Sequence, residues 1–210
     1  GDESFIRAFN HDEDIHARTA AEVFDVPMEE VTPELRRKAK AVNFGIVYGI
    51  SDYGLSQDLD ISRAVAKSYI ESYFARYTGV KKYMEEIVAA AREQGYVSTL
   101  MGRRRYLPDI RHSNFNLRSF AERTAINTPI QGTAADIMKK AMIDVQRALE
   151  AAQLKSHMLL QVHDELVLEV TEDEKDTVAA LVQEAMENAV QMEIPLLAEV
   201  NFGKNWAETK

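Results

Sequence analysis

Residues 36–49 read RRKAKAVNFGIVYG, in which Arg36, Lys40, Phe44 and Tyr48 follow one another at steps of four. On a helix each such step turns the position by about 40°, so the four share one broad face. Arg grips phosphate oxygens through a planar fork, Lys adds a point charge, and aromatic rings stack on a sugar or a base. The face suits a ligand with a polyphosphate at one end and a flat ring at the other. The same spacing also describes an amphipathic helix whose basic half is solvated and whose Phe44 and Tyr48 lie in the core. Basic residues in the first turns run against the helix dipole, which favours acids there and tilts the balance toward a ligand. Gly45 and Gly49 do not form a phosphate loop, because no Gly-Lys-Ser/Thr follows. Gly45 marks a close approach, and Gly49 a helix end or hinge.

A second constellation lies in QVHDELVLEV, residues 161–170. Two β-prone runs, His157 to Val162 and Glu165 to Val170, are separated only by His163-Asp164, which reads as a hairpin turn. A carboxylate at such a tip, backed by apolar strands, is a well-held ligand for a hard cation such as Mg²⁺. Asp also favours turns for backbone reasons alone, so the dipeptide by itself leaves both readings open.

The elements that must carry these residues are mostly helical. The spacing predicts helices over 11–24, from Thr32-Pro33 to about Tyr48, from Ser62 to about Tyr77, and from Val80 to Gln94 with Gly95 as its stop. Tyr96–Leu100 and Arg105–Pro108 flank a tight loop at Met101-Gly102. Residues 114–150 are helical in pattern, with Pro129 expected to break or kink the run. After the hairpin, Thr171–Glu174 reads as a capping box opening a helix to about Met192, and Pro195 precedes a final strand, Leu196–Asn201. A helical first half followed by helix, hairpin, helix and strand makes the fold α+β.

The chain has 210 residues, 46% hydrophobic and 28% charged, which is a globular balance and excludes a disordered tail. Its apolar runs last only a few residues, far below the roughly 20 that a bilayer core demands. With no cysteine, a disulfide framework and Cys-ligated metals are excluded. The first residues carry no signal peptide, and with no initiator Met the chain reads as a fragment. A net charge of −9 argues against a diffuse nucleic-acid coat. Yet Arg and Lys cluster at 36–40 and at 103–123, while acids dominate the last third, a segregation that points to a local polyanion site.

RRKAKAVNFGIVYG and QVHDE, with TLMGRRRYLPDI (99–110) and ERTAINTPIQGTAADIMKKAM (122–142) between them, resemble in order and spacing the polymerase motifs of the family A DNA polymerases. The resemblance covers essentially the whole chain and is to the bacterial branch. It implies a mostly helical fingers subdomain over 1–110, followed over 111–210 by the C-terminal half of a palm, part of an antiparallel sheet carrying a catalytic hairpin.

By that resemblance Arg36 and Lys40 hold the triphosphate of an incoming dNTP, with Lys40 also a candidate proton donor to the leaving pyrophosphate. Phe44 packs on the deoxyribose, Tyr48 stacks near the nascent pair, and Gly49 serves as hinge. His16, in DEDIHART, matches a histidine that reaches the nucleotide phosphates; a metal site with Asp12 and Asp14 is its alternative. Arg123, Asn127 and Gln131, again spaced by four, match residues that touch primer-template DNA in the minor groove, where the acceptor pattern is similar for every pair. His163 lies near the primer terminus. Asp164 ligates the catalytic metals and Glu165 is an accessory carboxylate. Two Mg²⁺ ions about 4 Å apart would serve the attacking and leaving oxygens.

The family's first polymerase motif, an Asp-Tyr-Ser strand with a second metal-binding Asp, is not in these residues. The resemblance therefore implies that the N-terminal remainder of the polymerase, thumb and first half of the palm, is a partner, covalent or separate. It also implies a bacterial, cytoplasmic, nucleoid-associated enzyme of DNA replication and repair, with no membrane contact. Two further readings stand beside it, a non-catalytic DNA-binding fragment and an RNA-making relative. Phe44 in place of Tyr resembles members that reject dideoxynucleotides.

Overall fold

A computed structural model describes residues 1–209, and the chain forms two compact units, Gly1–Thr133 and the residues from Ala134 onward. The expected division after residue 110 falls inside the first unit.

Each early helix starts at a side chain that caps it. In α1 (Glu3–Asn10) the Asp2 carboxylate accepts from the N–H groups of Ser4 and Phe5. In α2 (Ile15–Phe24) Asp14 accepts from His16 and Ala17. The helix expected over 11–24 therefore begins only at Ile15, and α1 precedes it unforeseen. Asp12, at φ 53°, turns the chain between them. α3 (Pro33–Val47) opens as expected, with Thr32 accepting from Leu35 at 3.2 Å and Pro33 in the first turn. α4 (Asp52–Leu59) was not foreseen, since Gly54 weakens a helical pattern. A Cβ at Gly54 would stand 2.8 Å from Ile50 Cγ1, so the close approach requires glycine there. α5 (Arg63–Arg76) and α6 (Thr78–Gln94) follow, the latter ended by Gly95 at φ 79°.

Packing on one side of α3 builds the larger core of this unit. Val42 and Ile46 are buried with Val23 of α2, Leu55 of α4, and Tyr73 and Tyr77 at the end of α5. Burial of each aliphatic side chain contributes about 1.5–3 kcal/mol, and truncating Ile46 to Ala would cost about 2–5 kcal/mol. A short antiparallel pair, β1 (Tyr96–Ser98) and β2 (Arg104–Tyr106), sets Val97 opposite Arg105.

The long α7 (Phe115–Ala151) runs unbroken through Pro129. Of the expected break or kink, the break is absent: the helix continues on both sides of the proline, with side-chain hydroxyls bonded to carbonyls along this stretch. Thr124, Thr128 and Thr133 donate to the carbonyls four residues earlier, and the Tyr83 hydroxyl donates to the Ile126 carbonyl at 2.9 Å.

In the second unit β3 (His157–Val162) and β4 (Glu165–Glu169) form the expected hairpin, with Val162 opposite Glu165 and a bulge between Met158 and Leu160. Met158, Leu166 and Leu168 pack on Val145 and Leu149 of α7 and on Val178 and Val182 of α8 (Lys175–Glu187). Two expectations fail here. Thr171 makes no capping bond, because Glu174 turns back to accept from the Lys155 and Ser156 N–H groups and the Ser156 hydroxyl, and α8 stops at Glu187. Leu196–Asn201 is irregular and not a strand, for it finds no strand to pair with among the described residues; its Ala198 is tied instead to Gln183 and Glu187. The architecture is α+β, as expected. Among the described residues no helix is long and apolar enough to cross a membrane.

Candidate functional site

The inner face of α3 (Ala39, Val42, Asn43 and Ile46) is buried, and the opposite face presents Arg36, Lys40, Phe44 and Tyr48 to solvent. Phe44 and Tyr48 are 47% and 44% exposed, so the alternative that placed them in the core is excluded. Their rings lie nearly parallel with centroids 6.2 Å apart, and Lys40 Nζ stands 5.8 Å from the centre of Phe44. His16 also adjoins Phe44, 5.9 Å between ring centres. The face thus holds two cations, an imidazole and two open rings.

Arg36 Nε donates to Asp14 Oδ2 at 2.6 Å, between two half-exposed side chains. The Arg36 hydrogen bond holds the Asp14 carboxyl below its usual range. Burial lowers the His16 pKa, assisted by the positive charges of Arg36 and Lys40 and opposed by Asp14, which favours a neutral ring. The alternative of a metal site with Asp12 and Asp14 is not formed: one Asp14 oxygen caps α2 and the other meets Arg36, and no cluster of three metal-ligating side chains exists among the described residues.

Arg123, Asn127 and Gln131 line up along α7. Arg123 and Gln131 are exposed, while Asn127 is half-buried with its Oδ1 buried and without a partner. Arg123 donates to Ser119 Oγ at 3.0 Å, and its stem packs on Gly49, where a Cβ would stand 3.0 Å from Arg123 Cγ. Gly49, at φ +74°, ends α3. The structure therefore brings Gly49 and Arg123 together within the first unit, two residues that sequence reasoning treated separately. On the next turn Gly132 abuts Thr99, and the Leu100 N–H donates to Thr133 Oγ1 at 3.0 Å. These contacts set the rotation of α7.

At the tip of the β3–β4 hairpin His163 adopts φ +54°, a left-handed conformation that His tolerates better than most residues. Gln161 Nε2 donates to its carbonyl at 2.8 Å. Asp164 is exposed and its carboxylate has no partner among the described residues. Glu165, by contrast, accepts from Trp206 Nε1 at 3.3 Å. A free carboxylate on a packed hairpin fits a cation ligand, but one alone does not make a closed site.

Sequence reasoning missed Asn43 and Thr19. Asn43 is 7% exposed and Thr19 is fully buried, and both support His16. The signal for Asn43 was a polar residue at an inner-face position beside Val42 and Ile46.

Comparison with known proteins shows the family. The family model described as DNA polymerase family A matches residues 1–208. DNA polymerase I of Bacillus caldotenax is 56% identical over 209 residues, and that of Bacillus subtilis is 55% identical over the same length. Both alignments cover 100% of this chain and 24% of the relative, so the chain spans about a quarter of the length of these relatives. Among solved structures, the POL domain of Pol1 from M. smegmatis, in complex with DNA primer-template and dNTP, superposes with a TM-score of 0.94 at 50% identity. It covers 99% of this chain and 37% of that one. What these matches share is a nucleotide-polymerising domain. The chain belongs to DNA polymerase family A.

Proposed function

We propose that these residues supply the nucleotide-binding helix and one metal-binding carboxylate of a template-directed DNA polymerase, which adds deoxynucleotides to a primer 3′-hydroxyl. The observation that carries this reading is the exposed face of α3, where Arg36, Lys40 and His16 adjoin the open rings of Phe44 and Tyr48. In the M. smegmatis structure the matching domain is in complex with primer-template and dNTP. In this reading residues 1–110 act as fingers and 111–210 as the second half of the palm.

Arg36 exchanges Asp14 for triphosphate oxygens. The exchange is accessible because an exposed ion pair contributes only about 0–1 kcal/mol. Lys40 adds charge and holds a proton for the leaving pyrophosphate, while Phe44 bears on the deoxyribose and Tyr48 on the nascent pair. Arg123, Asn127, Gln131 and His163 face the primer-template and reach groups common to all pairs. Asp164 would hold divalent metal, which we assign as Mg²⁺, with Glu165 accessory; the two ions would stabilise the attacking and leaving oxygens. In this reading a second metal-binding carboxylate comes from outside the described residues. The N-terminal remainder of the polymerase is thus the required partner.

The test is extension of a primed DNA template with Mg²⁺ and four dNTPs, by this chain alone and after adding the preceding polymerase segment. Extension only in the mixture is expected. Extension by the chain alone would overturn the carboxylate assignment. Salt-sensitive DNA binding without extension in either case would favour a binding fragment.

A further inference from the structure

Beneath the exposed face of α3 lies a buried polar relay. Asn43 Nδ2 is 3.0 Å from His16 Nδ1 and 3.1 Å from Thr19 Oγ1. The Thr19 hydroxyl donates to the Ile15 carbonyl at 2.8 Å, so its oxygen is left to accept. Thr19 Oγ1 also stands 3.2 Å from Asn43 Oδ1, so the direction of the amide is read at its other neighbour, His16, toward which its NH₂ group is turned. In that orientation the NH₂ group donates to His16 Nδ1, which then carries a lone pair. The Tyr77 hydroxyl, 3.3 Å from Thr19 Oγ1, donates to Glu22 at 2.8 Å, and Glu22 is paired with Arg18 and Arg76. The relay is therefore anchored on both sides. Nε2 on the opposite side of the His16 ring has no partner among the described residues and is not among the buried unpaired atoms.

We propose that Asn43 is a positioning residue that locks His16 in the Nε2–H tautomer, so that the ring offers a neutral hydrogen-bond donor to the nucleotide phosphates held on α3. The proposal rests on the nucleotide reading of that face. A ring carrying its proton on Nδ1 would set two donors against each other at 3.0 Å and turn a lone pair toward phosphate oxygen, which is also an acceptor. Burial, with the charges of Arg36 and Lys40 and against that of Asp14, lowers the His16 pKa, which likewise favours a neutral ring.

The lock is tested on this chain by ¹⁵N–¹H NMR of the His16 ring. Wild type is expected to show a proton on Nε2 alone. Asn43→Ala should give a mixture of tautomers, and Asn43→Asp, nearly identical in shape but purely an acceptor, should move the proton to Nδ1. A wild-type proton on Nδ1, or no response to Asn43→Asp in a folded variant, overturns the proposal. In the polymerase assembled with its remaining segments, Asn43→Asp should raise the KM for dNTP about ten-fold, with kcat far less affected. In a His16→Ala background it should add little. An equal rise in that background overturns the link through His16. The tautomer readout does not depend on extension, so failure of the nucleotide reading shows itself separately, as absent synthesis by the assembled wild type.

Discussion

Gly49 and Arg123 form a close pair: glycine at φ +74° ends α3, and the stem of the arginine on α7 fills the space where a Cβ would stand, 3.0 Å from Cγ. Gly49→Ala therefore combines a left-handed alanine with a crowded neighbour. It should lower stability by about 1–2 kcal/mol and displace Arg123. Thermal melting and primer-template affinity should both fall. Arg123→Ala should recover part of the stability loss, because it removes the crowding and leaves the backbone strain. Full additivity of the two changes would show that the contact carries nothing.

Phe44 is 47% exposed, so a hydroxyl on its ring is expected to be accommodated without repacking the core. Phe44→Tyr should leave the melting temperature unchanged and enhance dideoxynucleotide incorporation by the assembled polymerase. The check is the ratio of dideoxy termination to extension on one template. An unchanged ratio would count against placing Phe44 on the sugar.

Much of this was legible because it depends on periodicity and local chemistry. The shared face of Arg36, Lys40, Phe44 and Tyr48 is a four-residue repeat, the Thr32-Pro33 start is a capping signal, and the β3–β4 hairpin is two β-prone runs around a dipeptide. Features that depend on distant partners were not legible. Pro129 does not break α7, and the contact beside it, Tyr83 on the Ile126 carbonyl, joins residues 43 positions apart. α4 forms despite Gly54 because Ser51 caps it and Leu55 is buried in the core, while Ile50 fills the space beside the glycine. Leu196–Asn201 has strand chemistry but no strand beside it among the described residues. The roles of the individual site residues came from family resemblance, and the geometry adds Asn43 and Thr19 to them.

Glu174 joins the base of the hairpin to α8. Its carboxylate accepts from the backbone N–H groups of Lys155 and Ser156 and from the Ser156 hydroxyl, and these bonds lower its pKa from 4.5 to about 2. A carboxyl depressed on folding stabilises the folded state above its unfolded pKa, and that contribution fades as pH falls toward the folded value. Wild-type stability should therefore decline between about pH 4.5 and about pH 2 by a component that Glu174→Gln lacks. Denaturant melts of both proteins across that window would check it. Parallel curves would show that these hydrogen bonds do not favour the charged form.

Asp164 and Glu165 are adjacent on the hairpin but differ in what they hold. Asp164 is exposed with no partner among the described residues, whereas Glu165 accepts from Trp206. Nothing in the fold depends on the Asp164 charge, so Asp164→Asn should change stability by no more than about 0.5 kcal/mol. As a metal ligand its loss should lower extension by the assembled polymerase about 100-fold or more. Primer-template affinity should persist, because Arg123 and Gln131 are untouched. Glu165→Gln keeps an acceptor for Trp206 and should reduce extension less. Side-by-side measurement of melting, DNA affinity and extension separates the roles. Normal extension by Asp164→Asn would remove the carboxylate from the metal site, while a large loss of stability would show that the hairpin relies on the charge for its own folding.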